Sequence, residues 1–432
     1  MDEYVSANPY VISDPDFHDI LLEEIKDIFY IQLEHYIEGE TILNSETIED
    51  DMDELLEDAF HIFVTVFFPN TSHDTKNIEI VLTKYDENEI SLIENKINYL
   101  RGIPQPEQRT SEWYKFRWNL ITASNAWKAF ESQPAINQLI YEKCQPLKVI
   151  NNDDEEVKMV NTNTPLHWGQ KYEPLTVMLY EREFNTKVED FGCIQHSLYK
   201  FIGASPDGII VNKDSERYGR MLEIKNVVSR DINGIPKKEY WIQMQLQMEV
   251  CDLDECDFLE TKFVEYPDEQ SFISDTQNLH ESNTDTTDTK NIMVSADNKT
   301  KGIILYFHTK EGKPFYKYKP LEIITANDIK LWEETELEKY ESEPYNYTFL
   351  KFIYWKLEKL SCVLVLRNKE WFKNNIGQLE KVWKTIEEER ISGYEHRAPV
   401  KKTKKEPLKP FIEKEQGCLL KFTNIIKVDT NV

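Results

Sequence analysis

Two short apolar runs limit what this 432-residue chain can fold into: GASPDGIIV at residues 203–211 and MLEIKNV at residues 221–227. Apolar runs of this length, bounded by Gly, Pro and Asn, are expected to form buried strands. They nevertheless carry Asp207, Glu223 and Lys225. Side chains alternate along a strand, so Glu223 and Lys225 share one face while Ile224 turns to the other. Asp207 follows Pro206 at the start of the GIIV strand, where Gly208 lets the backbone bend. If the two strands are neighbours, two carboxylates and the Ile224 carbonyl make an oxygen-rich pocket suited to Mg²⁺ or Mn²⁺. A lysine beside them can hold or deprotonate a water, or stabilise charge on a phosphate, which is the chemistry of phosphodiester hydrolysis. On the pattern alone, a surface salt bridge between Glu223 and Lys225 is the competing reading. The apolar flanks Met221, Leu222, Ile224 and Val227 weigh against it, because an unpaired buried charge is costly.

The surrounding pattern supplies the rest of a sheet. Helical spacing is expected at residues 113–117, 123–130, 169–184 and 240–250, with strands at 199–204, 208–212, 221–227 and 258–266. Such alternation predicts an α/β layer around a central mixed sheet. Residues 1–105 read as an acidic α+β region, with helices at 17–36 and 45–60 and strands at 61–68 and 78–85. A proline-bearing linker follows at 104–110. The core is expected to span 106–325, with a polar, mobile insertion at 267–300 that interrupts a hairpin. Residues 326–432 read as a helical region ending in a basic tail, KKTKKEPLK, at 401–409.

Charge and cysteine usage narrow the class. The net charge of −27 is unevenly spread: residues 1–105 hold 25 acids against 5 bases, whereas residues 346–432 hold 11 against 18. The total therefore does not exclude a polyanionic partner, since binding a polyanion depends on where the Lys and Arg cluster. Six cysteines without a CxxC pair argue against a zinc ribbon, a disulfide framework or an iron-sulfur site. The acidic opening MDEYVSANPY and the shortness of every apolar run predict a soluble, intracellular chain without a membrane span.

Five segments in order, RTSEWYKFRWNLITASNAWKAF (109–130), LHWGQKYEPLTVMLYE (166–181), GASPDGII, LEIKNV and YWIQMQLQMEV (240–250), resemble the phage lambda exonuclease family. These are the YqaJ-like viral recombinase nucleases of the PD-(D/E)xK superfamily. The resemblance covers about residues 109–266 and implies a restriction-endonuclease-like α/β core. It implies Asp207 and Glu223 as metal ligands, with the Ile224 carbonyl and Glu173 completing the set, and Lys225 as the catalytic lysine. Gln243 matches the glutamine that orients the lysine or the attacking water, with Gln245 as fallback; Gln243 shares a helix face with Gln247. Arg117 and Ser124 match a pocket for a 5′-terminal phosphate, where an arginine fork and helix amides suit an anion. A helix cap at Thr122 or Ser124 with a surface arginine is the plainer reading of the same residues.

The activity so implied is Mg²⁺-dependent (or Mn²⁺-dependent) 5′ to 3′ digestion of duplex DNA with free ends, leaving 3′ single strands for recombination or repair. A single-strand annealing protein and a ring of three subunits are the partners the family implies. The composition and size suggest a relative from a large eukaryotic DNA virus, acting in the host cytoplasm or at a viral replication site. A structure-specific endonuclease of the same fold and a non-catalytic DNA-binding or scaffold protein are the alternatives.

Overall fold

The computed structural model describes residues 14–21, 85–108, 110–147, 161–277 and 291–399. The expected strands at 61–68 and 78–84, the helices at 22–36 and 45–60, residues 278–290 and the basic run at 401–409 lie outside the described residues. So does Cys418; the other five cysteines are buried and free.

Helix α1 (Glu87–Gly102) opens with a capping box between Asp86 and Glu89. It is followed by α2 (Ser111–Trp118), β1 (Ile121–Thr122), α3 (Ala123–Ala126), a 3-10 turn (Trp127–Phe130) and α4 (Gln133–Cys144). Helix α5 (Pro165–Glu183) is capped by Thr164, whose hydroxyl accepts from the His167 amide, and it has proline in its first turn. Strands β2 (Val188–Glu189), β3 (Ile194–Gln195), β4 (Ile202–Ala204), β5 (Gly208–Ile210) and β6 (Met221–Val227) lead to α6 (Lys238–Cys251) and β7 (Glu255–Glu265). After α7 (Glu269–Ser274) come β8 (Lys301–His308), β9 (Pro314–Tyr318), α8 (Ala326–Glu341), β10 (Thr348–Leu366) and α9 (Lys369–Ser392). No helix among the described residues is long and apolar enough to cross a membrane.

The strands form a small sheet, β1-β4-β3, and a seven-stranded mixed sheet, β2-β5-β6-β7-β10-β8-β9. This is the mixed α/β core that the alternation implied. Its centre is the parallel pair β6 and β7, joined across one face by α6. Helix α6 buries Trp241, Met244, Leu246, Met248 and Val250 together with Gln245 and Gln247, so it is a core helix enclosed on most sides. Its polar side chains must therefore be satisfied. Gln245 donates to the Leu366 carbonyl at 3.0 Å and accepts from the Asn368 amide at 2.6 Å, tying α6 to the end of β10. The β5–β6 hairpin closes through Gly219 at φ +81°, and a Cβ there would come within 2.4 Å of Ile93 in α1.

Three expectations need correction. Helices form at α8 and α9 as expected after residue 325, but between them Thr348–Leu366 is a 19-residue strand. Ile353, Trp355 and Leu357 are buried while their neighbours are not, which is the period of two that marks a strand. The density of aromatics had suggested helix packing. Secondly, β7 and β8 are not hairpin partners, because β10 lies between them and pairs antiparallel with both. Thirdly, the flanks of the polar insertion are packed: α7 buries Phe272, and buried Lys301 donates to the carbonyls of Phe272 and Asp275, each at 2.5 Å.

Beneath β6 lies a buried ion cluster. Asp257, paired in register with Leu222, accepts from Arg217, from Arg220 at 3.1 Å and from the Tyr180 hydroxyl at 2.5 Å. Burial opposes its charge, but the two guanidiniums overcome that and hold its carboxyl below the ordinary range. A lowered native pKa means that this contribution is complete above the ordinary carboxylate value and is lost as pH falls through the native one. Asp257→Ala leaves two buried cations without their shared partner and should cost about 3–5 kcal/mol in chemical denaturation. The gap between wild type and mutant should narrow on acidification; an equal gap at all pH values would contradict this account.

Candidate active site

The edge where β5 stops short of β6 gathers the charged groups. β5 pairs with β6 only at Gly208↔Leu222 and Ile209↔Met221, so β6 runs on past its neighbour. Asp207 fills the vacated position. Its amide donates to the Leu222 carbonyl at 3.1 Å, and its Oδ2 accepts from the Ile224 amide at 2.6 Å. Because the N–H and C=O of a strand residue point to the same edge, the Ile224 carbonyl faces this gap as well.

Glu223 is 1% exposed, and both its oxygens are engaged. Lys225 donates to Oε1, and Gln247 donates to Oε2 at 2.7 Å while also reaching the Ser205 carbonyl at 3.3 Å. The Lys225 ammonium lies 4.8 Å from the centre of the Tyr240 ring of α6. Glu173 projects from α5, which is fastened to β6 by Thr176 donating to Asn226 at 2.7 Å and Asn226 donating to the Gly169 carbonyl at 3.0 Å.

The electrostatics show an excess of negative charge. Burial, then Glu223, then Glu173 push the Asp207 carboxyl well above its ordinary value. Burial works against the Lys225 ammonium, yet Glu223 and Asp207 outweigh it and hold the lysine above its ordinary value. Among the described residues, no three acidic, histidine or cysteine side chains already stand as a ligating cluster. The donor set nonetheless suits a hard dication: the Asp207 and Glu223 carboxylates and the Ile224 carbonyl are oxygen donors, and Glu173 adds negative charge on Asp207 that a divalent cation would relieve.

The remaining candidate residues are placed as follows. Gln243 is part-buried one turn before Gln247, and Gln247 is the glutamine bonded to Glu223. Three glutamines at alternate positions had blurred that register, although the shared face of Gln243 and Gln247 was visible in the spacing. His167 is buried, with Nε2 2.6 Å from the Tyr316 hydroxyl. Arg117 on α2 lies over the Trp113 ring at 4.6 Å and beside the Cys193 thiol. Ser124 is exposed at the start of α3, its hydroxyl 3.3 Å from that of Thr122, and no hydrogen bond joins it to Arg117.

Sequence reasoning missed two cations beside Arg117. Lys143 of α4 donates to the Arg117 carbonyl at 2.8 Å, and burial with Arg117 and Arg390 depresses it to about 8. Arg390 of α9 stacks 3.4 Å over the Trp118 ring and donates to the Trp118 carbonyl at 2.7 Å. Their separation along the chain left no signal to find them.

Residues 112–254 match the family model of the YqaJ-like viral recombinase domain. An uncharacterized protein of Acanthamoeba polyphaga mimivirus is 32% identical over 326 residues, covering 69% of this chain and 56% of that protein. The chain thus spans about half the length of that relative. Among solved structures, an alkaline exonuclease of Laribacter hongkongensis aligns over 66% of this chain and 95% of its own at 15% identity, with a TM-score of 0.33. A phage-related exonuclease of Haemophilus somnus aligns over 62% and 94% at 13% identity, with a TM-score of 0.31.

Gln247→Ala should strip Glu223 of a buried donor and cost about 1–3 kcal/mol of stability. Gln243→Ala, at a part-buried position without a hydrogen bond, should cost less than about 0.5 kcal/mol. Urea denaturation of the two variants compares them, and equal losses would sink the distinction.

Proposed function

We propose, from the match of residues 112–254 to the YqaJ-like viral recombinase domain, that the chain is a divalent-metal-dependent DNA exonuclease digesting duplex DNA from 5′ ends. The observation that carries the reading is the convergence of Asp207, Glu223 and Lys225 at one open sheet edge inside that domain, with the charge of Glu173 bearing on Asp207. Asp207, Glu223, Glu173 and the Ile224 carbonyl would hold Mg²⁺ or Mn²⁺. When bound, the cation would supply Lewis-acid neutralisation of the phosphodiester and a nucleophile competent at neutral pH.

The chain's own residues do the rest. Asp207, anchored by the Ile224 amide, fixes the edge at which the phosphate docks. Gln247 orients the Glu223 carboxylate from the opposite side. Lys225, kept protonated by its carboxylate neighbours, donates to the attacking water or to a phosphate oxygen and so stabilises charge as it develops. The positive cluster of Arg117, Lys143 and Arg390 supports recognition of a terminal phosphate, and hence the 5′ polarity. Release of 3′ single strands for recombination or repair, an annealing partner and a three-subunit ring rest on the family resemblance alone.

The test uses linear duplexes labelled at one 5′ end, carrying either phosphate or hydroxyl, with a covalently closed circle as control. Digestion of the 5′-phosphorylated ends should require Mg²⁺ or Mn²⁺ and fall at least about 100-fold in Lys225→Ala and Asp207→Asn. Cutting of the closed circle would point to an endonuclease. No cleavage by wild type with either metal would overturn the nuclease reading.

A further inference from the structure

Where β6 ends, a cavity of about 300 Å³ opens between the start of α5 and strands β8, β9 and β10. Its volume is at the lower end of small-ligand sites, room for one nucleotide unit rather than for a folded partner. Tyr306 and Tyr316 are stacked on one side, with ring centres 4.9 Å apart at 23°. Trp168 also lines the cavity. Lys171 is already committed, bonded to Glu265 and lying 4.5 Å over the Trp168 ring. Lys351, exposed at the rim, has no ion-pair partner among the described residues. Val228, which also lines the cavity, stands three residues beyond Lys225, at most ~10 Å along an extended chain.

These features select one chemistry. A small anion would not use aromatic walls, and an apolar ligand would leave Lys351 unanswered. A nucleobase uses the rings, while its phosphate uses the Lys351 ammonium. We propose that this cavity binds one unstacked nucleotide of a single DNA strand passing the Asp207, Glu223 and Lys225 edge, with its base against Trp168 and the tyrosines and its phosphate on Lys351. The proposal rests on the nuclease reading for the identity of the strand, but not for the binding itself.

The test is equilibrium binding of a short fluorescein-labelled oligothymidylate to the full chain in EDTA, where no cleavage occurs, alongside the Mg²⁺ digestion assay. Trp168→Ala should weaken binding about 10-fold, and Trp168→Phe, which keeps a stacking face, should stay within about 3-fold of wild type. Lys351→Ala should flatten the dependence of log affinity on log salt by about 0.7. A digesting wild type whose three variants bind as it does would overturn the subsite and leave the nuclease reading standing. A wild type that digests nothing, with variants that still weaken as expected, would uphold the subsite and overturn the nuclease. Trp168→Phe falling as far as Trp168→Ala would show that stacking is not the contact, which also overturns the proposal.

Discussion

The structure is organised around charge buried on both faces of one parallel strand pair. On the α6 side of β6 and β7 lie Glu223, Lys225 and Glu260, the last paired in register with Lys225. On the other side lies Asp257. Charges at this depth are tolerated only where partners surround them. Asp257 has two arginines and a tyrosine, and Glu260, raised by burial against the pull of Arg230, is bonded to that arginine. The edge beyond β5 gathers more carboxylate than cation. Around Asp207, the charges of Glu223 and Glu173 add to its own, and Lys225 is the cation that opposes them.

That contrast gives the site its rigidity. Asp207 cannot swing away without leaving the Ile224 amide unpaired, and Glu223 is gripped between a strand neighbour and a core helix. Preorganised groups of this kind lose little on meeting a substrate. The more exposed members, Glu173 on α5 and Lys225, carry the adaptability.

Much of this was legible in residues 199–266, because β4, β5 and β6 are short apolar runs with Gly or Pro nearby, and because α6 has no competing pattern. β6 appears with the bounds read from MLEIKNV, and the approach of Asp207 to Glu223 follows from hairpin geometry alone. What was not legible depends on distance along the chain. Nothing in the spacing could pair Arg390 with Trp118, or place β10 between β7 and β8. The burial alternation at Ile353, Trp355 and Leu357 was present in the sequence, but Tyr354 and Phe352 filled the intervening positions and hid it. Gln247 is one of three glutamines at alternate positions, and its burial and its bond to Glu223 distinguish it from Gln243.

The place of β10 also sets an order of events. Strand β7 ends at Glu265, yet its outer partner begins only at Thr348, and β8, made in between, must wait for the same strand. Until then β7 presents an open edge of unpaired backbone groups, the kind of surface that invites pairing with another chain. Contacts between residues so far apart close slowly. During synthesis, the half-sheet bearing Asp207, Glu223 and Lys225 would emerge from the ribosome well before the strand that seals its flank, so that edge is assembled early and protected late. A chaperone able to hold β7 through that interval would raise the share of chains that complete the sheet.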